Sequence, residues 1–116
     1  MKPVRFVGSS KETLSAFPAS ARLRAGHELF MVQVGRDPSD WKPMSEIGAG
    51  ACEIRVRDEA GAFRVIYVAK FADAVYVLHA FQKKAQKTAQ ADLDLAERRY
   101  REAHALAKER SRGKGQ

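Results

Sequence analysis

From Cys52 onward the side chains alternate in character, and this period of two constrains the fold more than any other feature of the chain. Cys52, Ile54 and Val56 fall on one side and Glu53, Arg55 and Arg57 on the other, the pattern of a half-buried strand with a charged face. Residues 58–62 (DEAGA) supply a turn, after which 63–70 (FRVIYVAK) and 75–81 (VYVLHAF) read as two more strands joined across 72–74. Connections this short pair consecutive strands antiparallel, so the segment is expected to be a meander. The two later strands are apolar on both faces and belong in the covered centre of a sheet, with Arg64, Lys70 and His79 as polar exceptions.

The flanking segments have a helical character. Residues 4–7 (VRFV) suit a short first strand, which Gly8-Ser9-Ser10 breaks while offering a hydroxyl cap to a helix from Lys11. Phe17-Pro18 ends or kinks that helix, because a residue before proline avoids helical geometry, and Pro18 suits the first turn of a second helix to about Val34. Ala21, Ala25, Leu29 and Val32 recur at helical spacing, so this helix has a buried stripe and the two are expected to form a hairpin. Residues 35–40 (GRDPSD) are a cluster of breakers and 41–50 has no clean period; 35–50 therefore reads as one long loop, pinned by Trp41 and Met44.

After 82–87 (QKKAQK), Thr88 is placed to cap a last helix, with Asp92 and Asp94 near its positive end. Leu93, Ala96, Tyr100, Ala103 and Ala107 mark its apolar side, and Arg98, Arg99, Arg101 and Lys108 its basic side. Past about Arg110 nothing remains to bury. The whole reads as an α+β fold: an N-terminal strand and helix hairpin, an antiparallel β-meander sheet and a C-terminal helix. Its 116 residues suit a single domain over 1–110, with a flexible basic tail over 111–116.

The net charge of +7 asks for a reason, and a polyanionic partner is a common one. The charge is uneven: residues 82–116 hold 10 of the 21 Lys and Arg but only 5 of the 14 Asp and Glu. No apolar run reaches the ~20 residues of a membrane span, and the N-terminal segment turns polar too early for a signal peptide; a cytoplasmic address is expected. One cysteine and three scattered histidines (His27, His79, His104) give no metal-ligand spacing, so neither a metal nor another cofactor is expected.

The element order resembles the RelE/ParE toxin superfamily, in particular its HigB-like, phage-derived branch. The likeness is carried by 40–44 (DWKPM), 53–57 (EIRVR), 63–67 (FRVIY) and, most specifically, 78–88 (LHAFQKKAQKT), and the element order extends it over nearly the whole chain. The resemblance implies a type II toxin neutralised by a cognate antitoxin, often a helix-turn-helix protein, and for many relatives cleavage of messenger RNA on the ribosome. Relatives on the ParE side instead inhibit DNA gyrase by protein binding, and a catalytically decayed relative is a third possibility. The sequence motif alone does not separate these.

Metal-free RNA cleavage needs a base for the 2′-hydroxyl, an acid for the leaving 5′-oxygen and cations for the added charge on phosphorus. Arg55, Arg57 and Arg64 would form a basic floor if register sets them on one face. By similarity, Arg55 and Arg64 occupy positions of basic catalytic residues, whereas Glu53 puts a carboxylate where some relatives are basic. It acts there either as a base or as an arginine's partner. His79 titrates in the useful range but stands among Val77, Leu78 and Phe81, so it is either a proton carrier or a core residue. Lys83, Lys84 and Lys87 follow the strand end and suit phosphate contacts or a solvated run. The candidate catalytic residues are thus Arg55, Arg64, His79 and Lys84, and the candidate RNA contacts Arg57, Lys83 and Lys87. Trp41 either stacks a base or packs; Tyr67 and Cys52 read as core; Arg98, Arg99 and Arg101 read as ribosome contacts or as a solvated face.

Overall fold

The structure, a computed structural model, describes residues 1–114. Its elements run β1 (Val4–Phe6), α1 (Ser10–Ser15), α2 (Ala19–Gln33), β2 (Trp41–Pro43), β3 (Ala51–Asp58), β4 (Gly61–Val68), β5 (Val75–Lys83) and α3 (Gln90–Lys114). The five strands form one mixed sheet in the order β1-β5-β4-β3-β2. The expected meander is β3, β4 and β5, each antiparallel to the next. The sheet is widened by β1, parallel to β5, and by β2, antiparallel to β3.

Both faces of the central strands are covered, as their doubly apolar pattern requires. One face carries Ile54, Val56, Val65, Val75 and Val77 against Leu14, Phe17, Ala21, Ala25 and Leu29 of the two N-terminal helices. The other carries Ala51, Ile66, Val68, Tyr76 and Leu78 against Ala96, Ala103 and Ala107 of α3. Small residues on α2 and α3 let both helices lie close to the sheet. The predicted stripe of α2 is buried, together with Glu28, whose carboxylate accepts hydrogen bonds from the Ser39 N–H at 2.6 Å and the Ser39 hydroxyl at 2.9 Å. These bonds tie the breaker segment to the helix.

Four local expectations are revised. Residues 35–50 are not wholly loop: Trp41–Pro43 form an edge strand, with Trp41 opposite Ile54 and Pro43 opposite Cys52. A three-residue strand ending in proline is too short to show a period, and an edge tolerates the missing donor. Met44 and Ile47 are buried and pin the segment that follows. Secondly, no side-chain hydrogen bond caps α1; Ser9 Oγ accepts from Arg99 Nη2, while the buried Ser10 hydroxyl donates to the Val77 carbonyl. Thirdly, α3 begins at Gln90, two residues beyond Thr88. Finally, the same helix continues through Lys114, into the stretch expected to be loose, and residues 115–116 lie outside those described.

Within β5 the ladder to β4 breaks step. Tyr67 faces Val77 while its neighbour Ile66 faces His79, so Leu78 is an extra residue in the strand, a β-bulge. Leu78 and His79 consequently share the α3 side of the sheet, and every later side chain of β5 is reversed from simple alternation with Tyr76. Ala80 turns toward the N-terminal helices and Phe81 toward α3.

Candidate functional site

Register settles the condition attached to the three arginines. Arg55 lies directly opposite Arg64, and Arg64 in turn opposite Phe81, so this row of side chains crosses three strands on one face. One row outward, Arg57 and Lys83 flank Ala62; one row inward, Lys42, Glu53, Ile66 and His79 line up. Arg55, Arg57, Arg64 and Lys83 therefore converge at one end of the α3 face of the sheet, next to the linker that precedes α3.

Glu53 sits at the centre of these cations. Its side chain is fully buried, with Oε1 3.4 Å from Arg64 Nε and 3.7 Å from Arg55 Nε, and neither carboxylate oxygen makes a hydrogen bond of good geometry. The reading of Glu53 as an arginine's partner is thus met twice over. Arg55 also approaches Asp40 at 3.8 Å, and its N–H donates to the Asp40 carbonyl at 2.9 Å. Arg64 is mostly buried; burial pulls its pKa below the ordinary value, and Glu53 opposes that shift. Desolvation followed by repulsion from Arg64 does the same to Lys83, whose other neighbours include Lys42 and Arg55. Cations that are desolvated and set beside like charge gain from an incoming anion.

Lys84 adjoins this end of the sheet: with Ala62, Arg64 and Lys83 it lines an open depression of 360 Å³. Lys87 lines a smaller one of 210 Å³ with Phe81, Lys84 and Asp92. His79 stands apart from the open floor. Its ring is buried, stacks on Phe81 with centroids 4.7 Å apart, and places Nε2 2.8 Å from Asp92 Oδ1 in the first turn of α3. Burial lowers its pKa, and Asp92 works in the opposite direction. A neutral ring donating from Nε2 leaves Nδ1, which is buried without a partner.

Trp41 pairs with Ile54 on the opposite face, beside Cys52 and Tyr67, and does not join the cationic floor. Tyr67 is buried, its pKa pushed well up by burial, and the Cys52 thiol donates to the Gly50 carbonyl at 3.6 Å. Tyr67 is a core residue, as its alternation indicates, whereas Cys52 is half-buried against the margin of the same core. Lys42 escaped the sequence reading, because its place beside Glu53 depends on a strand that has no periodic signature. Among the described residues, no three His, Cys, Asp or Glu side chains gather as a metal site, and no helix is long and apolar enough to cross a membrane.

A mixed five-stranded sheet between helical layers, with an arginine and lysine floor left open at one end, defines a small α+β protein with a cationic surface site. The chain belongs to the phage-derived Gp49-like protein family (DUF891), whose model matches residues 12–101, and this is a RelE/ParE-like toxin family of toxin–antitoxin systems. The match includes every residue of the cationic floor and the linker lysines. No curated protein matches the chain.

Proposed function

We propose that this protein is a toxin of the HigB-like branch that cleaves messenger RNA on the ribosome without a metal, in the cytoplasm, until a cognate antitoxin, a helix-turn-helix protein, neutralises it. The observation that carries this reading is the direct opposition of Arg55 and Arg64, with Arg57 and Lys83 one row away. A phosphate lying over this row meets cations from three strands, the arrangement that stabilises the dianionic phosphorane formed when a 2′-hydroxyl attacks as its proton passes to solvent water. Displacing Glu53 from its two arginines would free guanidinium donors for that phosphate. Lys84 is exposed at the rim; in this reading it protonates the leaving 5′-oxygen, and Lys87, beside it, extends the path for the RNA backbone. His79 contributes in this reading by anchoring the linker to β5 through Asp92.

The reading is tested by inducing the protein in growing bacteria and mapping transcript ends by primer extension. Cleavage within translated regions, absent for Arg64→Ala, is expected. Intact transcripts accompanying growth arrest would overturn it, and inhibition of supercoiling by purified gyrase would then favour a binding-type poison.

A further inference from the structure

The bulge in β5 decides which side chains face Arg64. Counting two by two from Tyr76 would send Phe81 and Lys83 to the helix α2 side; the extra Leu78 turns them to the α3 side instead. A bulged residue leaves a carbonyl without a ladder partner, and here that carbonyl is taken by a side chain. Arg99 Nη1 donates to the Leu78 oxygen at 3.0 Å, and Nη2 of the same guanidinium donates to Ser9 Oγ at 2.9 Å. One group therefore ties the bulge to the β1–α1 turn from its place on α3.

The turn is shaped to admit it. Gly8 has φ +57°, and a Cβ at that position would lie 2.7 Å from Arg99 Nε. A side chain there would both strain the backbone and push the guanidinium away. Arg98, the neighbour of like charge, is exposed.

We infer that Arg99 is a positioning residue: it fixes the Leu78 bulge and through it the presentation of Phe81 and Lys83 beside Arg64. The functional half of this inference rests on the RNA reading above; the structural half does not. The test compares Arg99→Ala, Arg99→Lys, Ser9→Ala and Arg98→Ala with the wild type. Amide hydrogen exchange over residues 79–83 reads the strand, and anisotropy with a fluorescein-labelled single-stranded RNA decamer reads the floor. Loss of a charge-assisted hydrogen bond at the bulge is expected to speed exchange there by about tenfold or more in Arg99→Ala. The decamer affinity should fall by about tenfold, since displaced groups lose more than their own contact.

Arg99→Lys and Ser9→Ala, each keeping one of the two bonds, should fall between, and both remain informative if the alanine variant does not fold. Arg98→Ala should leave exchange unchanged. Unchanged exchange on altering Arg99, or an equal rise in Arg98→Ala, overturns the clamp. Faster exchange with undiminished RNA affinity overturns its positioning role. Failure of the wild type to bind the decamer at all counts against the RNA floor itself, and the exchange data still decide whether Arg99 holds the bulge.

Discussion

Arg55 and Arg64 face each other across β3 and β4, and the buried Glu53 carboxylate lies within 3.7 Å of the Nε atom of each. Like charges directly opposite in a sheet repel, so Glu53 is what makes the pair tolerable in the absence of an anion. Glu53→Gln keeps the shape and removes the charge. It should lower unfolding stability by about 3 kcal/mol in urea titrations, the scale for breaking a largely buried ion pair. The same variant should bind a single-stranded RNA oligomer more tightly, because nothing competes for the guanidinium groups. Unaltered stability would show that Glu53 is not the compensating charge.

If the arginine row stabilises charge on a reacting phosphate, Arg64→Ala should reduce messenger cleavage in a reconstituted translation reaction by about 100-fold or more. Lys87→Ala, which alters only a peripheral cation, should weaken RNA binding and flatten its salt dependence with a far smaller effect on rate. Equal losses from the two changes would argue for a general electrostatic surface and not a centred site.

His79 gives the fold a pH dependence whose sign is fixed. Its folded-state pKa lies below the ordinary histidine value because of burial, with Arg99 adding to the shift and Asp92 opposing it. The unfolded chain therefore takes up a proton at higher pH than the folded one does. The stability associated with the neutral ring is complete above about pH 6.5 and is lost as pH falls from there through the folded-state pKa. Urea midpoints of the wild type and His79→Gln, compared between about pH 7.5 and 5, should diverge on the acid side, with the wild type falling more steeply. Parallel curves would rule out His79 as the source.

Gly48 lies against the ring of Tyr100, where a Cβ would come within 2.5 Å of the aromatic carbons. The Tyr100 hydroxyl donates to the Ala49 carbonyl at 2.6 Å, so ring and loop are fixed to each other. Gly48→Ala should therefore destabilise by about 1–3 kcal/mol, and Tyr100→Phe by about 1 kcal/mol. A thermal midpoint for Gly48→Ala equal to that of the wild type would mean that the loop yields freely.

What was legible in the sequence follows from where the physical signal is local. The meander and its two-faced burial were plain because alternation and short turns are written into consecutive residues. Arg55, Arg57 and Arg64 could be assigned to one face conditionally, since only register was needed to join them. Three features lie beyond such reasoning. β2 is three residues long and ends in Pro43; the pairing of β1 with β5 joins Val4 to Val75. The Leu78 bulge reverses the parity on which the counting depends, so His79 could be seen as a core residue but not as the partner of Asp92. Arg99 was indistinguishable from Arg98 because a helix face shows charge, not what each charge reaches.

The parallel pairing of β1 with β5 also bears on how the molecule comes together. Val4, Arg5 and Phe6 meet Val75, Tyr76 and Val77, so the first of the five described strands waits for the last of them before it has a neighbour in the sheet. Loop closure over such a separation is slow relative to forming the β3–β4 hairpin. Arg64 and Arg55 thus meet early in folding, whereas Phe81 and Lys83 arrive only with β5. A nascent or partly folded chain holds half of the cationic row, and the complete row comes into being as the sheet closes.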